Sequence, residues 1–301
     1  MKFGVCIPHY GIPLEVDNLT NMAIKAEEMG FDSVWVTDHI IVPHEIPDRT
    51  DIVYRHDMLE PLSLLTHLGA VTKRVKIGTS VIILPYRNPV VLAKAIATAD
   101  VLSKGRVIFG AAIGWMEGEF QALNAPFADR GVVSDEYLQL LKELWTNPTP
   151  TFQGEHFQIS DVTFSPMPVQ KPHPPVWVGG RSRRGVRRAV RYGDAWYPSQ
   201  LPPEQVAERV KHMREYSTRV GRETPPDLSF RGRLDFSGGS VSNARAPLSG
   251  TTEDIIADVQ QYADIGVSHI SMEVVGDSYS DRLRAMDRFM NEVKPRVEGK
   301  A

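Results

Sequence analysis

The stretch "PPVWVGGRSRRGVRRAVRYGDAWYP", residues 174–198, holds a complete strand–helix–strand unit. Residues 174–180 are apolar and β-rich, which predicts a buried strand. Residues 182–193 have apolar residues at helical spacing and predict a helix, and residues 194–198 predict a short strand. The unit is typical of an α/β protein.

The same alternation of strand and helix runs along the whole chain of 301 residues. Eight strands alternating with helices in one chain of this length favour a (β/α)8 TIM barrel and a single domain, 1–301. A doubly wound sheet stays open as an alternative, although no G-x-G-x-x-G follows the first strand. The predicted strands are 2–7, 33–37, 75–84, 106–112, 174–180, 194–198, 228–236 and 267–275.

Two segments interrupt the alternation and are predicted to be insertions in the barrel. Residues 149–170, which come after the fourth strand and its helices, have the pattern of a β-hairpin. Residues 238–250, after the seventh strand, are rich in Gly and Ser. Because loops of a barrel determine specificity, we expect the second insertion and the long loop 40–58 to shape the entrance to the site.

Composition limits the classes of function. The chain is 42% apolar and 24% charged with a net charge of −3, which gives no general reason to bind nucleic acid or an acidic membrane. No apolar run reaches the roughly 18 to 20 residues that span a bilayer. The single cysteine, Cys6, excludes an internal disulfide framework and fits a cytoplasmic protein.

The second predicted strand ends in two titratable residues, Asp38 and His39. Catalytic groups of a TIM barrel lie at the carboxyl ends of the strands, so these two side chains are candidate catalytic residues. Imidazole titrates near neutrality, and we expect His39 to donate or accept a proton while Asp38 orients it. The alternative is that His39 only caps a buried strand end through a hydrogen bond.

The fifth strand runs through Gly179 and Gly180 into the start of a helix, which is the arrangement of an anion-binding site. Arg181 and Ser182 add a cation and a hydroxyl donor for phosphate oxygens. Further along this helix four arginines share one face, and we expect that face to be solvated or, less readily, to dock a polyanionic tail. They are Arg184, Arg187, Arg188 and Arg191.

After the fourth strand, Gly114 would let a flat ligand or another backbone approach closely, and the Trp115 indole could form a wall of the pocket. Packing alone is the alternative reading of both residues. His44, in the loop after the second strand, is assigned to the substrate pocket as well. A metal-dependent barrel hydrolase is a further alternative, since His39, His44 and His56 lie among acidic residues, but H-E-x-x-H is absent and no metal ligand is assigned.

Taken together, these stretches resemble the luciferase-like monooxygenase superfamily, whose members use flavins or deazaflavins on a (β/α)8 barrel. The resemblance covers nearly the whole chain and is nearest to the branch that uses coenzyme F420; reduced FMN is the alternative cofactor. It is carried by "FDSVWVTDH", "KIGTSVIILPYRNPVVLAK", "SKGRVIFGAAIGW", "FADRG", "PPVWVGGRS" and "RYGDAW", in that order.

The resemblance implies a role for individual residues. His39 holds the position of the family's active-site histidine beside the isoalloxazine ring of the cofactor. Ser80-Val81 matches the strand bulge that supports this ring, often through a non-prolyl cis peptide. Arg130 matches a phosphate-binding arginine, and Arg181 and Ser182 fall where the luciferases bind phosphate. The family also implies a homodimer and a small-molecule substrate.

Two positions depart from the family pattern. Ile113 stands where luciferases carry a second phosphate-contacting arginine. Trp115 stands where the F420-dependent sugar-phosphate and alcohol dehydrogenases carry a catalytic glutamate, so their proton relay cannot be carried over intact. Glu117 or Glu119 could take its place, and the sequence does not choose between them. We expect hydride transfer with a small organic substrate, with monooxygenation by reduced FMN and a non-catalytic flavin-binding barrel as alternatives.

Overall fold

The computed structural model describes residues 1–10, 13–44, 57–237 and 245–299. Eight parallel strands form a closed barrel inside a ring of helices, which confirms the (β/α)8 TIM barrel and excludes the doubly wound sheet. The strands are β1 (Lys2–Cys6), β2 (Ser33–Val36), β3 (Lys76–Thr79, resuming as Ile82–Ile83), β4 (Val107–Ala112), β5 (Val176–Gly179), β6 (Ala195–Tyr197), β7 (Asp227–Leu234) and β8 (His269–Val274).

Each strand pairs in parallel with its neighbours around the barrel, and β1 closes the ring by pairing with both β2 and β8. Both halves of β3 pair with β4, so the interruption of β3 does not open the barrel. Because all the strands run in one direction, the side chains that follow their carboxyl ends meet at one rim.

The predicted helix 182–193 is confirmed as Arg183–Tyr192, and residues that favour helix ends stand at other helix boundaries. Gly30 ends α1 in the left-handed conformation with φ 86°, and the Asn88 side chain caps α3. Thr251 and Asp254 form a capping box at α8. The helices are α1 (Val16–Met29), α2 (Pro61–Val71), α3 (Pro89–Leu102), α4 (Glu117–Ala122), α5 (Arg130–Thr146), α6 (Arg183–Tyr192), α7 (Pro203–Arg219), α8 (Thr252–Ile265), α9 (Tyr279–Arg288) and α10 (Lys294–Glu298).

The first insertion contains the predicted hairpin, in which Phe152–Gln153 pairs antiparallel with Gln158–Ile159. Glu136 of α5 holds its turn, since its carboxylate accepts backbone N–H bonds from residues 155–157. Of the second predicted insertion, residues 238–244 lie outside the described residues. The assignment of 1–301 to a single domain stays a prediction.

The barrel has an apolar layer between strands and helices and a separate cluster inside. In the inner cluster, the Trp35 ring lies 4.9 Å from that of Trp177 and 5.4 Å from that of Tyr197. These rings pack against one another inside the barrel. Within the described ranges, no helix has the length and apolar character needed to cross a membrane.

Candidate active site

His39 lies two residues beyond Thr37, in the segment that follows β2, and is buried, with 5% of its surface exposed. Its Nδ1 lies 2.8 Å from Oε2 of Glu119. The Trp115 ring stands nearly perpendicular to the imidazole, with 6.4 Å between the ring centroids. The predicted histidine and the predicted aromatic wall therefore lie together at the rim of the barrel.

Glu119, on α4, is fully buried and holds the residues that follow β2. Besides His39, its carboxylate accepts bonds from the Ile40 N–H at 2.5 Å and from the Tyr86 hydroxyl at 2.9 Å. Burial by itself raises the pKa of this carboxyl, but the bonds from His39, Ile40 and Tyr86 outweigh it and hold the pKa below its usual range. Glu119 is therefore ionised, and Nδ1–H of His39 donates to it.

The sequence analysis expected Asp38 to orient His39, but the structure pairs it with other groups. The carboxylate bound to His39 Nδ1 is that of Glu119, whereas Asp38 accepts the Ile83 N–H at 2.8 Å and two bonds from Arg87, at 2.6 and 2.9 Å. The physical reason is geometric: the Asp38 side chain points to the end of β3, where a guanidinium matches both of its oxygens. Asp38 thus ties β2 to β3.

The peptide bond between Ser80 and Val81 is cis, as the resemblance implied. The Ser80 hydroxyl lies 2.9 Å from the Tyr197 hydroxyl, and the Ser80 carbonyl accepts a bond from Arg231 Nη1 at 2.7 Å. Arg231, on β7, also pairs with Glu273 of β8 at 3.0 Å. Support of a cofactor ring by Ser80 and Val81 stays a prediction.

His9 lies just beyond the end of β1 and was not predicted as a site residue from the sequence. Its Nε2 accepts the Thr37 N–H at 3.0 Å. Burial, followed by the charges of Arg231 and His39, lowers the pKa of His9 to about 4. Near neutral pH this histidine is therefore uncharged. The side chain of His44 is exposed to solvent.

The predicted anion site has the expected local structure. Gly180 has φ 122°, which disfavours any other residue, and Ser182 caps α6 by accepting the Gly185 N–H at 3.2 Å. Arg181 and Ser182 are both exposed. One expectation for α6 was wrong: Arg188 is not on a solvated face but is buried and paired with Asp135 of α5, whereas Arg184, Arg187 and Arg191 are exposed.

Arg130 is the first residue of α5, and its side chain contacts Phe127 in the turn that precedes the helix. Its Nη1 donates to the Phe127 carbonyl at 2.6 Å, and its guanidinium lies 4.0 Å from the centre of the Phe127 ring. Its Nε is buried and has no hydrogen-bond partner among the residues that the structure describes. A buried donor without a partner is costly, so Nε is a place where a ligand oxygen would be stabilised.

Gly114 is explained by packing. It has φ 78°, and a Cβ there would lie 2.6 Å from Ile83 and 2.7 Å from the Phe120 ring. The glycine therefore lets β3 and α4 approach the loop between them, and its contact with a cofactor stays a prediction. Across the described ranges, no group of three His, Cys, Asp or Glu residues is placed to hold a metal ion.

Comparisons with known proteins agree with this architecture. Residues 1–240 match the model of the family described as luciferase-like monooxygenase. The F420-dependent glucose-6-phosphate dehydrogenase of Amycolatopsis mediterranei is 28% identical, over 93% of this chain and 94% of that protein. The FMNH(2)-dependent dimethylsulfone monooxygenase of Pseudomonas putida is 30% identical, over 52% of this chain and 43% of that protein.

Among solved structures, an F420-dependent secondary alcohol dehydrogenase in complex with an F420-acetone adduct superposes with a TM-score of 0.80. It covers 98% of each chain at 19% identity, which supports the fold alone. The family model covers most of the chain, and the chain therefore belongs to the luciferase-like monooxygenase family. It is an enzyme of that family.

Proposed function

We propose that the protein is a coenzyme F420-dependent oxidoreductase that transfers a hydride to or from a small organic substrate. The observation that carries the proposal is the buried pair of His39 and Glu119 at the rim of a barrel of this family, 2.8 Å apart. The F420-dependent dehydrogenase that aligns over 93% of the chain supports the choice of cofactor. When bound, the deazaflavin ring supplies two-electron hydride chemistry.

We call Arg130, Gly179, Gly180, Arg181 and Ser182 together the phosphate cradle. These residues fit a cofactor that carries phosphate. The buried Arg130 Nε lacks a described partner, and Arg181 and Ser182 are exposed at the start of α6, where the helix dipole favours an anion. A Cβ on Gly179 would lie 3.3 Å from the Ala112 Cβ, so position 179 has little room for a side chain. Arg130, Arg181 and Ser182 would hold the phosphate, and Gly179 and Gly180 would let it come close.

His39 is the residue to which we assign proton transfer. Its Nδ1–H is committed to the ionised Glu119, so the proton exchanged with a substrate is gained or lost at Nε2. The fixed tautomer and the fixed ring orientation are what a general acid or base requires.

Replacing His39 tests this role. We expect His39→Ala to lower turnover by roughly 10²- to 10⁴-fold, the usual share of a general acid or base, and to leave the affinity for coenzyme F420 nearly intact. Turnover would be measured as the change in deazaflavin absorbance, and affinity by fluorescence titration. A loss of binding as large as the loss of turnover would mean that His39 is structural.

A second candidate within the family is a monooxygenase that uses reduced FMN and dioxygen. The aligned dimethylsulfone monooxygenase favours it, although that alignment covers only 52% of this chain. The two candidates differ in chemistry, because reduced FMN reacts with dioxygen whereas a deazaflavin favours hydride transfer. Consumption of dioxygen coupled to oxidation of reduced FMN would support this second candidate.

We also propose that the protein is a cytoplasmic homodimer with a single domain, 1–301. Family membership supports the dimer, and the exposed valine pair of α3, Val90 and Val91, offers apolar surface for an interface. The buried, unpaired Cys6 fits a reducing compartment. Sedimentation of the purified protein would separate monomer from dimer.

A further inference from the structure

Arg231 is a largely buried cation beside Ser80. Its side chain, on β7, is 16% exposed, and its Nη1 donates to the Ser80 carbonyl at 2.7 Å. Ser80 lies at the interruption of β3, which is the place where we expect the cofactor ring to be supported. The guanidinium therefore lies one hydrogen bond away from the proposed ring support.

The guanidinium of Arg231 has one donor without an acceptor. Its Nη2 donates to Glu273 at 3.0 Å and to the Tyr10 hydroxyl at 3.1 Å. Its Nε is buried and has no hydrogen-bond partner among the residues that the structure describes. A buried N–H without an acceptor is costly, and a charged one is more costly still. The unused donor indicates that an electron-rich ligand atom belongs beside Arg231.

The positive charge of Arg231 is only partly balanced. The carboxylate that pairs with it, Glu273, is 31% exposed, so water screens the negative charge more than the positive one. Glu273 also faces Arg282: burial lowers the pKa of Arg282, and the charge of Glu273 opposes this shift. One carboxylate thus serves two guanidinium groups, and the exposed Arg233 adds a further positive charge close to Arg282.

Three further titratable groups near Arg231 are uncharged near neutral pH. Burial, followed by the charges of Arg231 and His39, lowers the pKa of His9 to about 4. Burial raises the pKa of the Cys6 thiol to about 11 against the charge of Arg231, and burial also raises the pKa of Tyr197. The guanidinium therefore acts across the inside of the barrel, and these three neighbours do not neutralise it.

We propose that Arg231 holds the ring of the bound cofactor in its anionic form, with Nε donating to an electron-rich atom of the ring. This inference rests on the proposed function and adds to it a residue that tunes the cofactor. The deazaflavin ring of coenzyme F420 has an acidic hydroxyl, and the negative charge left by the loss of its proton spreads over the conjugated ring. A cation nearby favours this anion, which is one way in which a protein adjusts the electronics of a cofactor.

The step is a proton transfer alone. The O–H bond of the ring hydroxyl breaks, its electron pair stays on the oxygen, and the proton passes to water. No group is oxidised or reduced, so the inference needs no co-reactant.

Absorbance titration with pH of the protein saturated with oxidised coenzyme F420 tests the inference, because the neutral and anionic rings have different spectra. In the parent protein, the bound ring should lose its proton at a lower pH than the free cofactor does. Arg231→Gln should lower the ionisation constant of the bound ring about 10-fold, the effect of one charge roughly 12 Å away at an effective dielectric constant of about 20. Glu273→Gln removes the opposite charge and should raise that constant.

Further variants separate charge from folding. Arg231→Lys keeps the charge and should keep most of the ionisation constant of the parent protein. The double variant Arg231→Gln/Glu273→Gln leaves neither partner unpaired, which covers the case that a single variant does not fold. Its ionisation constant should lie between those of Arg231→Gln and the parent protein, because the more buried of the two charges is the positive one.

Arg188→Gln is the matched control. Arg188 is also largely buried, at 9% exposed, and pairs with Asp135, which is 35% exposed. This pair joins α5 and α6 outside the barrel. Its loss should disturb the fold to a similar degree but leave the ionisation constant of the bound ring unchanged.

The outcomes separate this inference from the proposed function. Opposite shifts in Arg231→Gln and Glu273→Gln, with recovery in Arg231→Lys, would support the inference. If coenzyme F420 binds but its ionisation constant is the same in the parent protein and in both single variants, the inference is wrong and the proposed function stands. A shift in Arg188→Gln as large as that in Arg231→Gln would also overturn the inference. If coenzyme F420 does not bind to the parent protein, the proposed function fails and the inference fails with it.

Discussion

At the scale of single residues, Glu119 makes several of the hydrogen bonds at the rim of the barrel. Its carboxylate fixes the Nδ1–H tautomer of His39, holds the backbone at Ile40 and accepts the hydroxyl of Tyr86. It stands on α4, close in sequence to Trp115. The resemblance to the F420-dependent sugar-phosphate and alcohol dehydrogenases implies a catalytic glutamate at the position of Trp115. We interpret Glu119 as a positioning residue that acts through His39 instead of touching the substrate.

Glu119→Gln tests that interpretation. The amide keeps the volume but removes the negative charge that orients Nδ1–H of His39, so we expect turnover to fall by roughly 10- to 100-fold. Affinity for the cofactor should not change. Tyr86→Phe, which removes one bond to Glu119 and keeps the charge, is the control. Unchanged turnover would reduce Glu119 to a structural role.

Arg130 is the residue on which the phosphate assignment can be tested by binding alone. Its buried Nε would gain a charged hydrogen bond, so Arg130→Ala should weaken cofactor binding by roughly 1.5–3 kcal/mol. Fluorescence titration measures this directly. Arg184→Ala, an exposed arginine further along α6, is the control. Equal affinities for Arg130→Ala and the parent protein would remove Arg130 from the cradle.

Single site residues could be predicted from the sequence where a residue with a chemical or ligand-binding role stands at the end of a predicted strand. His39 follows β2 and Gly179 ends β5, and a barrel brings both to the same rim. Glu119 could not be assigned, because its contact with His39 depends on how α4 folds back across 80 residues of separation. Arg231 lies in the predicted strand 228–236 and was not singled out, since nothing in the sequence tells which face of β7 points into the barrel.

At the scale of elements, β3 and β4 meet through a residue without a side chain. The Thr79 hydroxyl donates to the Gly110 carbonyl at 2.7 Å and accepts the Gly110 N–H at 2.9 Å. A Cβ on Gly110 would lie 1.9 Å from the Thr79 carbonyl oxygen. The close approach lets the interrupted β3 remain paired with β4 at the site.

Gly110→Ala should therefore destabilise the fold by about 3 kcal/mol or more, because backbone atoms cannot relax as a side chain can. Gly131→Ala, in α5, is the matched control: its Cβ would lie 3.5 Å from Arg188, and Ala should stabilise the helix by up to about 1 kcal/mol. Urea unfolding of both variants measures the difference. Equal midpoints would show that β3 and β4 can separate without cost.

Helices and strands were predicted more fully than the contacts of the site, because local sequence patterns specify them. Asn88 followed by Pro89, and Thr251 with Asp254, mark helix starts that the structure confirms. The interruption of β3 at Ser80–Val81 was expected only from the family, since "TSVII" reads as one continuous β-rich run. The hydrogen bond between Asp38 and Arg87 joins the segments that follow β2 and β3. The periodicity of apolar residues in the sequence does not predict such a contact.

At the scale of the whole molecule, the barrel contains buried histidines that resist protonation. Burial, with the charges of Arg231 and His39, lowers the pKa of His9 to about 4, and burial, with a smaller effect of Lys2, lowers the pKa of His269 to about 3. An unfolded chain takes up these protons near pH 6.5, the ordinary value for histidine. Between pH 6.5 and 4 the unfolded state therefore binds more protons, and stability falls as the pH falls.

We expect the free energy of unfolding to be lower at pH 5.0 than at pH 7.5 by about 2 kcal/mol for each of these two histidines. Urea unfolding at the two pH values measures the loss. His269→Gln should reduce the difference, because His269 lies at the start of β8, away from the rim, and would no longer titrate. A stability that does not change between the two pH values would contradict the burial of neutral histidines.

The central claim, that this barrel binds a deazaflavin for hydride transfer, is tested most directly by parallel titration of the purified protein with coenzyme F420 and FMN, each oxidised and reduced, followed by fluorescence. We expect saturable binding of coenzyme F420 and clearly weaker binding of both forms of FMN. Preferential binding of reduced FMN would contradict the claim and favour the monooxygenase. Binding of neither cofactor would contradict the assignment of the phosphate cradle, which comprises Arg130 and residues 179–182.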